Sequence, residues 1–184
     1  AISVATGAVT NGVTGTGVYS GPGTDAAGNF TPSLAGPGLH TIWFKFTTAG
    51  GCKDSLSRTI RVNPKPAAAF TINSDICLNQ VATITNQSTI LTGAIASWNW
   101  NFGDGNTASN TNGNAFTKPY AAFGNYNVKL VAVSDSGCVS DTVTHPVAVH
   151  AMPVTDFSMP ASVCMPNGPV AFVNNTTIGD NASM

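Results

Sequence analysis

Four cysteines and three histidines are the residues of this chain best suited to metal binding or nucleophilic chemistry. The shortest cysteine interval, from Cys52 to Cys77, is far longer than the about two to four residues between paired ligands of structural zinc sites. His40, His145 and His150 lie in Thr- and Val-rich stretches, and no serine in a nucleophile-elbow turn accompanies them. We therefore interpret the histidines as solvent-facing strand residues, and we predict no catalytic residue, metal site or cofactor.

Asp104 is a further candidate for chemistry, because Asn101 and Asn106 place more oxygen atoms beside it. Calcium takes about six to eight oxygen ligands, and this stretch holds too few acids for tight binding. Asp and Asn side chains also hydrogen-bond their own backbone in turns. We therefore predict that Asp104 stabilises a turn and does not bind calcium.

The residues before this turn alternate between apolar and polar, as in a strand. Trp98, Trp100 and Phe102 share one face, while polar residues occupy the other. This is the period-2 pattern of a strand with one buried face. The pattern predicts that both tryptophans contribute to a core.

Composition predicts an all-β chain able to form such a core. Charged residues make up 8% and hydrophobic residues 42%, and the many Thr, Val, Asn and Gly residues favour strands joined by tight turns. The net charge of −1 argues against nucleic-acid partners. No apolar run approaches the roughly 20 residues of a membrane span, so we expect no membrane insertion.

Landmark residues recur at a nearly constant interval, which indicates tandem modules. The matched pairs are Phe70 with Phe157, Cys77 with Cys164, Asn86 with Asn174, and Cys52 with Cys138. We predict that residues 1–64 are the later part of one module, residues 65–150 a complete module, and residues 151–184 the opening strands of a third. Short proline-bearing linkers should make the joints stiff.

Alternation and turn residues divide the middle module into strands. The predicted strands are Ala67–Ile72, Val81–Asn86, Ile95–Phe102, Asn125–Ser134 and Val139–Val149.

Two stretches of the middle module resemble the PKD family. The sequence W-N-W-N-F-G-D-G, which ends at Gly105, resembles the family signature W-D-F-G-D-G, with Asn101 where Asp is usual. A second stretch resembles H-x-Y-x-x-x-G-x-Y-x-V, with Lys118 or Pro119 where His is common. The matching motif residues are Trp100, Phe102, Gly103, Asp104, Gly105, Tyr120, Gly124 and Tyr126. The resemblance implies tandem immunoglobulin-like β-sandwiches in an extracellular, non-enzymatic protein.

Residues 1–64 are similar to a repeat of large surface adhesins. The matching segments are Gly15-Thr16-Gly17-Val18, Asn29-Phe30-Thr31-Pro32, Ala35-Gly36-Pro37-Gly38, His40-Thr41-Ile42 and Gly51-Cys52. Those adhesins are the gliding-motility-associated and type IX-secreted proteins of Bacteroidota, in which the repeat alternates with PKD modules.

The cysteines suit an oxidising compartment and leave two pairings open. Cys77 with Cys138 would lie within the complete module, and Cys52 and Cys164 would then need partners outside these residues. An immunoglobulin order, however, places Cys77 and Cys138 in loops at opposite ends, beyond the roughly 7 Å limit for Cα atoms. Pairing between adjacent modules or subunits is therefore the alternative.

The family resemblance also suggests two kinds of contact with sugar. Tryptophans of PKD modules in polysaccharide-degrading enzymes can stack on sugar rings, which makes Trp98 a candidate carbohydrate contact. Asp54-Ser55-Leu56 and Asp141-Thr142-Val143 resemble the O-glycosylation signal of the bacteria that make such adhesins. Ser55 and Thr142 are thus candidate glycosylation sites, unless each is an ordinary polar start to a strand.

Two functions follow as hypotheses. The first is a non-catalytic structural or adhesive segment of a bacterial surface adhesin or filament, with neighbouring modules or identical subunits as partners and surface glycans as further ligands. If the chain is a whole subunit, its C-terminal strands would complete a neighbour's N-terminal module; a fragment of a longer chain is the alternative. The second is an accessory polysaccharide-binding module of a secreted hydrolase.

Overall fold

The computed structural model describes residues 2–3, 14–164 and 168–180. The chain divides into two compact units. The N-terminal unit comprises Ala1–Lys65 with Ile90–Gly93, and the C-terminal unit comprises Pro66–Thr89 with Ala94–Met184. Among the described residues, no helix has the length and apolar character required to cross a membrane.

The described residues of the N-terminal unit form five strands and one short helix. They are β1 (Ile2–Ser3), β2 (Gly15–Ser20), β3 (Asn29–Phe30), α1 (Pro32–Ala35), β4 (Gly38–Thr48) and β5 (Lys53–Val62). Strands β2, β4 and β5 form an antiparallel sheet in that order, and β1 pairs with β3. Gly15 and Gly17 lie so close to the rings of Phe46 and Phe44 that a Cβ atom would clash. The glycines of β2 therefore leave room for aromatic rings from β4.

In the C-terminal unit, ten strands lie within the residues that the structure describes. They are β6 (Phe70–Ile72), β7 (Asp75–Cys77), β8 (Val81–Asn86), β9 (Ile95–Asn101), β10 (Thr107–Asn110), β11 (Phe116–Pro119), β12 (Gly124–Ser134), β13 (Val143–His150), β14 (Phe157–Ser158) and β15 (Val173–Asn174). One sheet has the order β10-β9-β12-β13-β7, a second has the order β11-β8-β6, and β14 pairs with β15. The pairing of β7 with β13 is parallel, and the other pairings are antiparallel.

The first two of these sheets bury their alternating apolar faces against each other. Ile84 of one sheet and Val128 and Leu130 of the other are fully buried. The remaining buried members of this core are Phe70, Ile76, Ala82, Trp100, Phe102, Tyr120, Val147 and Val149. Full burial of one such aliphatic side chain stabilises the fold by about 1.5–3 kcal/mol. The middle of the chain is thus a β-sandwich, which confirms the all-β prediction.

The strand predictions hold where alternation is long and fail where strands are short. Strand β8 has the predicted bounds Val81–Asn86, whereas β7, β10 and β11 were not predicted. The strand predicted to begin at Val139 is β13, which begins at Val143. Ser140 is buried there, and its hydroxyl accepts a hydrogen bond from the backbone N–H of Ala132. That side-chain contact interrupts regular pairing in residues 139–142.

Replacement of Ile84 by alanine should destabilise the C-terminal unit by about 2–5 kcal/mol, because a fully buried side chain leaves a cavity. Val81→Ala is the matched control on the same strand, since Val81 is 44% exposed; we expect a change within about 0.5 kcal/mol. Urea unfolding followed by tryptophan fluorescence in a Trp43→Phe background would report on this unit alone. Equal losses for the two variants would contradict the assigned faces of β8.

Candidate functional site

The turn after β9 is built around the carboxylate of Asp104. Its Oδ1 accepts a hydrogen bond from the backbone N–H of Asn106 at 3.0 Å, and its Oδ2 accepts one from Asn106 Nδ2 at 2.9 Å. Asn101 Oδ1 accepts a bond from the N–H of Gly103 at 2.9 Å, so the amide oxygen serves as an acceptor where the family usually has Asp. Gly103 has φ 79°, and a Cβ there would lie 2.8 Å from the backbone nitrogen of Asn127. These contacts give the motif residues a folding role in the turn.

Lys118 is the functional partner of Asp104 that the sequence analysis did not identify. Its Nζ donates to Asp104 Oδ2 at 2.6 Å, and both side chains are nearly buried. The same ammonium lies 5.3 Å from the ring centroid of Phe102 and 5.0 Å from that of Tyr120, within the range of cation–π attraction. The signal in the sequence was incomplete, because the family resemblance left Lys118 and Pro119 as alternatives for the position where His is common.

Electrostatics in this cluster favour the charged form of the carboxylate. Burial by itself would raise the pKa of Asp104, but the hydrogen bonds from Lys118 and Asn106, together with the charge of Lys118, outweigh it and hold the pKa below its ordinary value. Burial, with smaller effects from Asp104 and Tyr126, raises the pKa of Tyr120 to about 12. Tyr120 therefore stays protonated at neutral pH and is a hydrogen-bond donor.

The two tyrosines of the motif join this cluster to the core. The hydroxyl of Tyr120 donates to the carbonyl oxygen of Phe102 at 3.2 Å, and its ring stacks on Tyr126 at 4.4 Å between centroids. Tyr126 donates in turn to the carbonyl oxygen of Ala122 at 2.9 Å, and Gly124 begins β12 with φ 149°. The motif residues thus form a connected structural cluster around the Gly103–Gly105 turn.

The structure places both tryptophans of β9 on the inner face of the sandwich. Trp100 is 3% exposed and meets Phe70 and Phe116 edge to face at 5.0 and 5.2 Å. Trp98 is partly buried against the same core and has its ring edge beside Gly113. This position favours packing over an open platform for a sugar ring at Trp98.

The histidines differ from the prediction that all three face solvent. His145 is half-buried, with its ring packed edge to face on Phe70 at 4.6 Å. His40 is also half-buried, with Nε2 2.8 Å from the carbonyl oxygen of Gly36. His150 lies between two carboxylates, with Nδ1 3.2 Å from Asp180 and Nε2 3.5 Å from Asp75. Each ring therefore has a local packing or polar contact.

The cysteine positions are incompatible with a Cys77–Cys138 bond. Cys77 ends β7 opposite His150, the last residue of β13, whereas Cys138 lies in the turn that precedes β13 and hydrogen-bonds Ser134. The length of β13, about 3.3 Å per residue, separates them and far exceeds the Cα limit for a disulfide. Cys52 and Cys164 are exposed, and pairing between adjacent modules or subunits stays a prediction.

The two candidate glycosylation residues lie at the surface. Ser55, on β5, and Thr142, directly before β13, are both exposed. The N–H of Ser55 donates to Asp54 Oδ1 at 2.8 Å. Accessibility is a requirement for glycosylation, which itself stays a prediction.

Within residues 14–164 and 168–180, no three His, Cys, Asp or Glu side chains come together in a group that could hold a metal ion.

Asp104→Asn and Lys118→Met should each destabilise the C-terminal unit by about 1–3 kcal/mol, because each removes one partner of a nearly buried charged hydrogen bond. The double variant should lose less than the sum of the single losses. Urea unfolding of all four proteins would give this coupling free energy. Additive losses would show that the two residues stabilise the domain independently.

The Asp104→Asn effect should also depend on pH. Because the pKa of Asp104 is lowered in the folded state, its contribution is present above the unfolded value near about 4 and is lost as the pH falls through the folded pKa. The difference in unfolding free energy between wild type and Asp104→Asn should therefore shrink between about pH 5 and pH 2. Asp54→Asn, at an exposed site of the N-terminal unit, is the control. A difference that does not change with pH would contradict the ion pair.

Known proteins resemble part of the chain in sequence. Residues 63–149 match the PKD domain family. A microbial collagenase from Vibrio alginolyticus is 35% identical over 96 residues, which are 52% of this chain and 11% of that protein. The chain thus spans a small part of the length of this curated relative.

Two solved domains from vibrios are also similar. The PKD1 domain of Vibrio anguillarum Epp is 30% identical, with a TM-score of 0.40, and the match covers 47% of this chain and 98% of that domain. The PKD1 domain of the Vibrio cholerae metalloprotease PrtV is 29% identical, also with a TM-score of 0.40, and the match covers 46% of this chain and 96% of that domain.

The family match includes the strand, the Asp104 turn and both tyrosines of the predicted motif. The expected PKD resemblance of the middle module is confirmed, and residues 63–149 are a PKD domain with an immunoglobulin-like β-sandwich fold.

Proposed function

We propose that the chain is a non-catalytic structural segment of an extracellular protein built from such modules in series. The observation that supports this most is the repetition of one hairpin within the C-terminal unit. Strand β6 pairs with β8 through Phe70 and Asn86, and β14 pairs with β15 through Phe157 and Asn174. A second module of the same kind would begin in this way.

The joint that follows the PKD domain has its own polar contacts. Asp180 accepts a hydrogen bond from the N–H of Ala151 at 2.9 Å and lies 3.2 Å from His150 Nδ1. Gly179 lies beside Ala151 and the ring of Phe123. Contacts that fix the segment after β13 suit a spacer that must transmit force or hold its length.

The roles of the motif residues support a non-catalytic function. The polar groups of this cluster hydrogen-bond within it: Lys118 donates to Asp104, Asp104 accepts from the backbone of the turn, and Tyr120 donates to the carbonyl oxygen of Phe102. Catalytic groups would instead need a cleft in which to meet a substrate.

The proposed organisation keeps three modules, residues 1–64, 65–150 and 151–184. Their proposed setting is the surface of a bacterial cell, in an adhesin or filament whose partners are neighbouring modules or identical subunits. The Bacteroidota adhesins remain the proposed context for the N-terminal module.

An accessory module of a secreted hydrolase is the second candidate function. The observation that favours it is the 35% identity, over 96 residues, to a segment of a microbial collagenase. In that case the module would bind an insoluble substrate, and Trp98 would be the candidate contact for polysaccharide.

The two functions predict different behaviour toward insoluble matrices. A structural segment should remain in the supernatant over cellulose, chitin and collagen fibrils at all protein concentrations. Saturable binding to a polysaccharide that is lost in Trp98→Ala but kept in Trp43→Ala would favour the accessory function. Trp43 is a suitable control because it is 44% exposed and lies on the N-terminal sheet. Circular dichroism would verify that both variants are folded.

Glycosylation at Ser55 and Thr142 predicts a heavier native protein. Intact-mass measurement of material from the producing organism should show discrete sugar increments, and Ser55→Ala with Thr142→Ala should remove them. Ser109→Ala is the control, because Ser109 is exposed but does not follow an Asp. An unchanged mass spectrum in the double variant would rule out these two sites.

A further inference from the structure

The two faces of the sheet β2–β4–β5 differ in their surroundings. The face that carries Phe44 belongs to the interior of the N-terminal unit, where it borders the same apolar cavity as the buried Phe30. Successive side chains of a strand point to opposite sides, so Trp43 lies on the other face, which points away from that interior. A domain of two packed layers leaves such an outer face in solvent. We call it the Trp43 face.

Trp43 differs from the two tryptophans of the PKD domain, which serve a core. It is 44% exposed, whereas Trp100 is 3% exposed and Trp98 packs against the core. Its partners on the neighbouring strands are Ser20 of β2 and Ser57 of β5, both of which are small. The indole therefore presents aromatic surface to solvent between two hydroxyl side chains.

The Trp43 face is also positively charged. Lys45, Lys53 and Arg61 lie on it by strand pairing, and they are three of the seven lysine and arginine residues of the chain. The single acid of the three strands, Asp54, pairs with Phe46 of the opposite face. Among the described residues, neither lysine of this face takes part in an ion pair. Both ammonium groups are thus free to meet an external anion.

A shallow depression continues the face along β4, directly after Trp43. It has a volume of about 480 Å³, and its lining includes Lys45 and Thr47 of β4 and Lys53 of β5. The two lysines are diagonal neighbours on adjacent strands, about 7–8 Å apart. Asp54 also borders the depression, and its Oδ1 accepts a hydrogen bond from the next backbone N–H at 2.8 Å. Two cations and one engaged carboxylate give the depression a positive balance.

We propose that the Trp43 face binds an anionic polysaccharide, whose sugar rings carry carboxylate or sulfate groups. The polymer lies along β4, with one sugar ring stacked on Trp43 and the acidic group of a neighbouring unit between Lys45 and Lys53. The face of an indole ring carries partial negative charge, which attracts the C–H groups of a sugar ring. The ammonium groups form charge-assisted hydrogen bonds with the acidic group.

The residues of this face favour a polysaccharide over other anionic partners. Ser20, Thr41 and Ser57 offer hydroxyls around Trp43, and the hydroxyls of a sugar polymer can replace the water on them. A lipid layer would remove that water without replacing its hydrogen bonds, which is costly. Nucleic-acid binding rests on the neutralisation of many phosphates, for which three cations on a chain of net charge −1 are too few.

This inference goes beyond the proposed structural function, because a spacer between modules needs no ligand. It is also separate from the candidate contact at Trp98, which lies on the inner face of the PKD sandwich. Cellulose and chitin carry no negative charge, so the results expected in the matrix-binding test, including the control Trp43→Ala, are unchanged.

Isothermal titration of the 184-residue chain with alginate oligosaccharides and with dextran sulfate tests the site and distinguishes carboxylate from sulfate. We expect saturable binding to at least one of them that weakens with salt. Trp43→Ala and Lys45→Gln should each raise the dissociation constant by at least about fivefold, and Trp43→Phe should retain most of the affinity because it keeps an aromatic face. A glycan on Ser55 would occupy the depression, so the protein should have the unmodified mass of 18.7 kDa.

Lys129→Gln is the matched control, because it removes the same charge at an exposed position of the PKD domain. Circular dichroism would verify that every variant is folded. An equal loss of affinity in Lys129→Gln, or no binding to either polymer, would overturn the inference and leave the structural function intact. Equally tight binding to single-stranded DNA or to phosphatidylglycerol vesicles, lost in Trp43→Ala, would overturn the assignment to a polysaccharide.

Discussion

The edge-to-face packing of Trp100 with Phe70 and Phe116 is the contact on which the PKD domain depends. Trp100 belongs to the five-stranded sheet, whereas Phe70 and Phe116 belong to the three-stranded sheet. Each sheet alone would leave one apolar face in water, so the fold requires a contact that crosses between them. The large area of an indole ring makes Trp100 well suited to this role.

The ion pair of Asp104 and Lys118 is a second contact between the two sheets, made by charged groups. Asp104 lies in the turn between β9 and β10 of one sheet, and Lys118 lies on β11 of the other. A nearly buried charge is costly unless it is paired, and here the carboxylate also holds its own turn while the ammonium covers two aromatic rings. The polar motif of the PKD domain thus forms the edge of its core, where Asp104 and Lys118 hold the turn and the two sheets together.

The sequence predicted those elements whose pattern extends over many residues. The alternation of apolar and polar residues predicted the bounds of β8, and the aromatic face of β9 predicted which of its residues lie in the core. The short strands β7, β10 and β11 were missed because three or four residues carry too little alternation to be read. Lys118 was missed as a partner because Asp104 lies fourteen residues before it, and the pairing exists through the packing of two sheets. The solvent-facing assignment of His145 failed for the same reason.

The sheets of the two units take their large aromatic rings from different strands. In the PKD domain the large rings come from β9, where Trp98 pairs with Ala132. In the N-terminal sheet Gly17 of β2 pairs with Phe46 of β4, so the large ring comes from β4 instead. In each of these pairs a large ring lies opposite a small residue, which leaves room for the ring on that face. The role of Gly15 and Gly17 depends on the rings of Phe46 and Phe44 on the facing strand, so it could not be predicted from the residues of β2 alone.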